Sequence, residues 1–210
     1  MGNYLVKTLE KYPELSTISN EINSCFKLLL DCFQRGGKIF TCGNGGSAAD
    51  SEHIVGELMK GFRLQRKLTE EQIMNIEKFF PKEASFLARN LQQAIPSISL
   101  VNSISLSTAF SNDINPEFIF AQQIFGLGNL GDVLIAISTS GNSKNVVNAT
   151  KIAKTKGLDV IALTGKNGGA IGKYSDVIVR APSEDVASIQ EYHMPIYHCL
   201  CSMLEHELFV

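Results

Sequence analysis

The chain has 210 residues, a formal net charge of −2, 44% hydrophobic residues and 19% charged residues. That is the profile of an ordinary globular protein with enough length for one sizeable core. It leaves no basic footprint for nucleic acid, and no apolar run is long enough to span a bilayer.

The N-terminus, MGNYLVKTLEKYPEL, is mixed and charged, unlike a signal peptide. Met1-Gly2-Asn3 starts like a myristoylation site, but the sixth residue is Val6 rather than Ser or Thr. The five cysteines, Cys25, Cys32, Cys42, Cys199 and Cys201, are odd in number and have apolar neighbours. They read as reduced, mostly buried thiols, so the expectation is a single cytoplasmic domain over residues 1–210.

Residues 3–35 predict helix, interrupted near Pro13. Leu15, Ile18, Ile22, Cys25, Phe26, Leu29, Leu30 and Phe33 recur at three- and four-residue steps. Gly36-Gly37 ends this segment. Residues 38–42 form a short apolar run of strand character, followed by the glycine-rich turn Gly43-Asn44-Gly45-Gly46-Ser47. A helix follows, with Ser47 expected as its N-cap. A strand, a glycine turn and a helix start make an anion site, because the first helical N–H groups have no partner of their own. His53 and Glu57 are four residues apart on one face of that helix. Such a pair can share a metal ion, transfer protons, or simply form a solvated polar face.

Residues 60–95 predict helical decoration outside any strand–helix alternation. Thr69 is the expected cap, Ile73, Ile76, Phe79 and Phe80 form an apolar stripe, and Pro81 separates a second helix at about 82–93. This segment is expected to cover the site or pack on another chain. Residues 96–102 are the second strand, with helical stretches at 106–112 and 116–125. The third strand, 132–137 (DVLIAI), is a continuous apolar run typical of a buried parallel strand. It leads into Ser138-Thr139-Ser140-Gly141-Asn142-Ser143, which offers four hydroxyls at another helix start. Read as more than an N-cap, that turn suits a phosphate monoester bound without a lysine. A helix to about 156, a fourth strand at 159–164, a glycine-rich loop, a fifth strand at 176–180 and a last helix at about 186–208 complete the chain.

Alternating strands and helices predict an α/β fold with three layers, a five-stranded parallel sheet flanked by helices. Ligands bind outside the carboxyl ends of such strands, where turns 43–47 and 138–143 both fall. The last helix carries Gln190, Glu191, His193 and His198 on an otherwise apolar pattern, with Pro195 inside it. A histidine in that setting is more often a satisfied core residue than a ligand.

The stretches CGNGGSAADSEH at 42–53, Glu57, Asn112-Asp113, GDVLIAISTSGNS at 131–143, LTGKNGG at 163–169, and IQEYH at 189–193 with His198 together resemble the sugar isomerase (SIS) family, and within it the phosphoheptose isomerases. The resemblance covers residues 38–208 apart from the helical insertion near 63–95. It implies a phosphate site at Ser47, Ser138, Thr139, Ser140 and Ser143, and sugar-binding positions at Asn44, Gly45, Gly46, Asn112, Asp113 and Gln190. It implies zinc ligands His53, Glu57, Gln190 and His198, with Glu57 and His198 as the proton-transfer pair. The implied partners are a phosphorylated seven-carbon sugar and further copies of the chain in a homotetramer, with no direct nucleic acid and no membrane. Other readings within the same fold are a non-catalytic SIS protein that binds a replication initiator, which resembles this chain but carries Asn where His198 stands, and an isomerase of another phosphosugar. Gln190 and His198 are eight residues apart, about 12 Å along a straight helix and roughly 80° around it. Either a kink at Pro195 bends the helix enough to bring both to the zinc, or one of the two comes from a neighbouring chain; the second is the expectation.

Overall fold

The computed structural model describes residues 4–210. The Met1-Gly2-Asn3 terminus, including the expected helix start at residue 3, lies outside them. Five strands form one sheet: β1 (Ile39–Cys42), β2 (Ser97–Ser99), β3 (Val133–Ile137), β4 (Asp159–Thr164) and β5 (Val177–Arg180). Their order is β2-β1-β3-β4-β5 and every pairing is parallel.

Side-chain alternation along the strands builds a core on each face. Ile39, Val133, Ile135, Ile161, Leu163 and Val179 face one way. They meet Leu15, α2 (Ser19–Gln34), α3 (Gly46–Met59) and α9 (Val186–Phe209). Phe40, Leu134, Ala136, Val160 and Ala162 face the other way, onto α7 (Ile119–Leu127) and α8 (Lys144–Thr155). The three-layer expectation therefore holds. β2 is shorter than the expected 96–102, with only three residues in the ladder.

Before α2 come α1 (Tyr4–Lys11) and a 3-10 turn that begins at Pro13, where proline forbids a continuous helix. Gly36 ends α2 with φ +74°. Between α3 and β2 lie α4 (Glu70–Phe79) and α5 (Ala84–Asn90). Thr69 caps α4 in a reciprocal capping box with Gln72. The stripe expected on α4 finds no core in this chain: Ile73 and Ile76 are half-buried, and Phe79 is 78% exposed. α6 (Ile104–Asp113) packs on α7. Pro195 lies inside α9, which continues through it. Among the described residues no helix is long and apolar enough to cross a membrane.

Candidate active site

Both hydroxyl-bearing turns leave the carboxyl ends of neighbouring strands, β1 and β3. They are tied side by side: the amides of Asn44 and Asn145 donate to each other's oxygens, both at 2.9 Å. Asn44, assigned to the sugar by resemblance, thus braces the two turns together. Gly45 adopts φ +56° and is the residue that caps α3, so Ser47 sits inside the first helical turn rather than at the N-cap. It is buried there, lying so close over Gly43 that a Cβ at Gly43 would collide with its backbone.

In the second turn Ser143 precedes α8 but makes no side-chain cap. Instead Ser138 donates to its hydroxyl at 3.1 Å, and Ser140 accepts from the Asn142 N–H at 3.1 Å. These hydroxyls bond within the turn instead of capping α8. The 165–169 loop packs against this turn backbone to backbone: Gly141 has φ +66°, and a Cβ there would strike the Gly168 carbonyl. A cavity of about 270 Å³ between them is lined by Thr139, Ser140, Asn142 and Lys166, among others.

On α3, His53 Nε2 lies 3.3 Å from Glu57 Oε1 and 3.4 Å from His198 Nε2 of α9. Three expected site residues thus converge within one chain. His198 thus reaches His53 within one chain, so joining that pair does not require a neighbouring chain. Gln190, two turns earlier, covers the glycine turn: a Cβ on Gly46 would lie 2.5 Å from its Nε2. Asn112 and Asp113 are exposed at the end of α6 and hydrogen-bond each other at 2.8 Å. Among the described residues neither forms a side-chain hydrogen bond to α3 or α9.

His198 is held below the usual histidine range, chiefly by burial and then by His53 and Arg63, against the pull of Glu57. Its ring lies 5.2 Å from that of Phe62. Ser202, which accepts from Arg63 Nε at 2.7 Å, donates to the His198 carbonyl at 2.7 Å. His193 takes the commoner fate of a helical histidine. It is fully buried, 3.3 Å from the Thr164 carbonyl, and burial draws its pKa down to about 4.

Several supporting residues went unseen in the sequence. Arg66 and Glu205 form a buried ion pair at 2.8 Å. Arg66 also donates to the Glu57 and Leu58 carbonyls, closing the C-terminus of α3. Glu205 accepts from the N–H groups of Phe62, Arg63 and Leu64. The segment after Glu57 is thereby latched to the helix that carries His198. Asp50 and Tyr197 stand behind His53: the Tyr197 hydroxyl lies 3.2 Å from Asp50 Oδ1 and 3.0 Å from His53 Nδ1. The only available signals were an acid within the apolar run CLCSMLEHELF and a tyrosine beside His198.

The SIS domain family matches residues 3–91 and 73–165 of the chain. A phosphoheptose isomerase of Shewanella baltica is 36% identical over 202 residues, covering 95% of this chain and 89% of the relative. The chain belongs to the SIS family, among the phosphoheptose isomerases. A phosphoheptose isomerase of Shewanella denitrificans is 35% identical, covering 95% of this chain and 90% of the relative. Among solved structures, the Francisella tularensis phosphoheptose isomerase superposes with a TM-score of 0.77 at 30% identity, covering 96% of this chain and 92% of that one. The Neisseria gonorrhoeae phosphoheptose isomerase gives 0.75 at 31% identity, covering 96% and 93%. The family match agrees with the five-stranded parallel sheet flanked by helices.

Proposed function

We propose that the protein is an aldose–ketose isomerase that interconverts sedoheptulose 7-phosphate and D-glycero-D-manno-heptose 7-phosphate. The observation that carries this reading is Glu57 and His198 meeting around His53 in one chain that also bears both phosphate-type turns. Ser47, Ser138, Thr139, Ser140 and Ser143 hold the phosphate, while Gly45, Gly46, Asn112, Asp113 and Gln190 are assigned to the sugar. Glu57 takes a proton from C1 of the ketose, and the electron pair moves into a C1–C2 enediol. The same carboxyl returns a proton to C2. His198 moves the hydroxyl proton from O1 to O2, so the exchange balances without an oxidant.

The donor set His53, Glu57, Gln190 and His198 suits zinc. Atoms bound to zinc at about 2.0–2.1 Å on a tetrahedron lie about 3.3–3.4 Å apart, which matches the 3.3 Å and 3.4 Å separations at His53 Nε2. The ion contacts of Glu57 are to His53 and Lys60, so the edge between Glu57 and His198 is open. Among the described residues no group of three His, Cys, Asp or Glu is closed on a metal point. Zinc held by these residues would supply Lewis-acid polarisation of the substrate carbonyl.

Exposed apolar side chains, Phe79, Phe80 and Phe86 on α4 and α5 and Ile114, Phe118 and Phe125 around α7, support assembly into a homotetramer. Free, buried thiols at all five cysteines support a reducing, cytoplasmic setting. Purified protein incubated with sedoheptulose 7-phosphate and followed by NMR should form the aldose. No turnover, combined with tight binding to a replication initiator, favours the non-catalytic alternative.

A further inference from the structure

The Asp50–Tyr197–His53 chain lies behind the site and takes no part in the proton transfers described above. Tyr197 has one hydroxyl proton and two neighbours, Asp50 Oδ1 at 3.2 Å and His53 Nδ1 at 3.0 Å. A carboxylate can only accept. The other Asp50 oxygen, Oδ2, is buried without any partner, so the tyrosine hydroxyl is the hydrogen-bond donor on which this carboxylate depends. An unmet buried acceptor costs about 1–3 kcal/mol, which directs the hydroxyl proton to Asp50. The hydroxyl oxygen is then left as an acceptor, and the group facing it must be an N–H.

From this geometry we infer that Asp50 and Tyr197 are positioning residues that hold His53 as its Nδ1–H tautomer and turn the bare Nε2 lone pair into the active site. Two further contacts fit this arrangement. His53 Nε2 faces Glu57 Oε1 at 3.3 Å and His198 Nε2 at 3.4 Å. With no proton on His53 Nε2, two acceptors stand opposed at Glu57, and a cation placed between them satisfies both. The dyad therefore primes His53 to donate its lone pair, as an Nε2-ligating imidazole must. The reverse tautomer would place an N–H against Glu57 and close the position. Ring contacts fix the orientation: Tyr197 and His198 each stand edge-on to the His53 ring, at 5.4 Å and 5.0 Å between centroids.

The tautomer rests on the hydrogen-bond geometry alone; its consequence for turnover rests on the isomerase reading. The test is 15N NMR of the full-length protein labelled at its four histidines, with His53→Asn used to assign the signals. The expected wild-type spectrum has a protonated Nδ1 and an unprotonated Nε2 at His53. Tyr197→Phe should shift His53 toward the Nε2–H form. Asp50→Ala should do the same, because the freed tyrosine hydroxyl then donates to Nδ1. Asp50→Asn keeps an acceptor oxygen and should preserve the wild-type tautomer. Zinc affinity, measured by competition with a chelating dye, should fall about 10- to 100-fold in Tyr197→Phe, the usual effect of losing such a supporting contact. An Nε2–H signal in the wild type, or an unchanged Nδ1–H in Tyr197→Phe, overturns the inference. An absence of isomerase turnover with the expected spectra would instead overturn the proposed activity and leave the tautomer assignment standing.

Discussion

Gly46 and the Gln190 amide are so close that a Cβ on the glycine would lie 2.5 Å from Gln190 Nε2. Gly46 is the first residue of α3 and does not have a positive φ, so its own backbone would accept alanine, and helix propensity favours alanine. What excludes a side chain is Gln190 arriving from α9. Gly46→Ala should therefore leave the melting temperature near wild type and displace Gln190. It should lower kcat/KM on the order of a hundredfold, the scale of a 1 Å misplacement in a reacting geometry. Wild-type kcat/KM in this variant would remove Gln190 from the site.

The second prediction concerns the Ser138–Ser143 turn. Each hydroxyl that donates to an anionic oxygen contributes about 1.5–3 kcal/mol. Ser138→Ala combined with Ser140→Ala should raise the KM for the phosphorylated ketose by at least about a hundredfold on that basis. Inorganic phosphate should also lose its competitive inhibition. An unchanged KM would place the phosphate elsewhere.

Glu57→Gln preserves shape and leaves the Arg66 bond to the Glu57 carbonyl intact. The amide cannot take a proton from carbon, so turnover should fall by about a hundredfold or more, the usual scale for a general base. Thermal unfolding should stay close to wild type. Near-normal turnover would require a different base.

Subunit mixing separates a site built within one chain from one divided between chains. His53 joins Glu57 and His198 inside a single chain at 3.3 Å and 3.4 Å. Inactive Glu57→Gln protein exchanged with inactive His198→Asn protein should regain no activity, because every site then carries one defect or the other. Partial recovery under proven exchange would mean that the working pair forms across an interface.

The latch between Arg66 and Glu205 sets an acid limit to stability. Burial alone would raise the Glu205 pKa, but the N–H groups of Phe62 and Arg63 and the Arg66 guanidinium outweigh it and hold the carboxyl below its usual 4.5. Below pH 4.5 the unfolded chain binds a proton that the folded chain refuses. This stabilisation is complete above that value and disappears as pH falls through the lower folded value. Glu205→Gln leaves Arg66 buried without its counter-charge, which costs about 3–5 kcal/mol near neutral pH. The difference from wild type in urea unfolding should shrink as the pH is lowered past 4.5. A constant difference across that range would show that the pair does not titrate with folding.

The sequence by itself determined the sheet and its edge. Continuous apolar runs such as DVLIAI can be buried on both faces only in a parallel sheet covered by helices. Gly43–Ser47 and Ser138–Ser143 then had to emerge at the strands' carboxyl ends, because the α/β alternation fixes strand direction. The Thr69 cap and the break at Pro13 were equally legible, since both follow from backbone chemistry within a few residues. Tertiary structure decided which polar side chains meet. Helical spacing said that Gln190 and His198 diverge, but only the packing of α9 on α3 placed Gln190 over Gly46 and His198 against His53. It also sent His193, five residues from His198, into the core instead of the site. Asp50, Tyr197, Arg66 and Glu205 carried little local signal. Their roles arise from contacts spanning roughly 140 residues in the Tyr197–His53 and Arg66–Glu205 pairs, where side-chain direction and burial, not sequence spacing, select the partner.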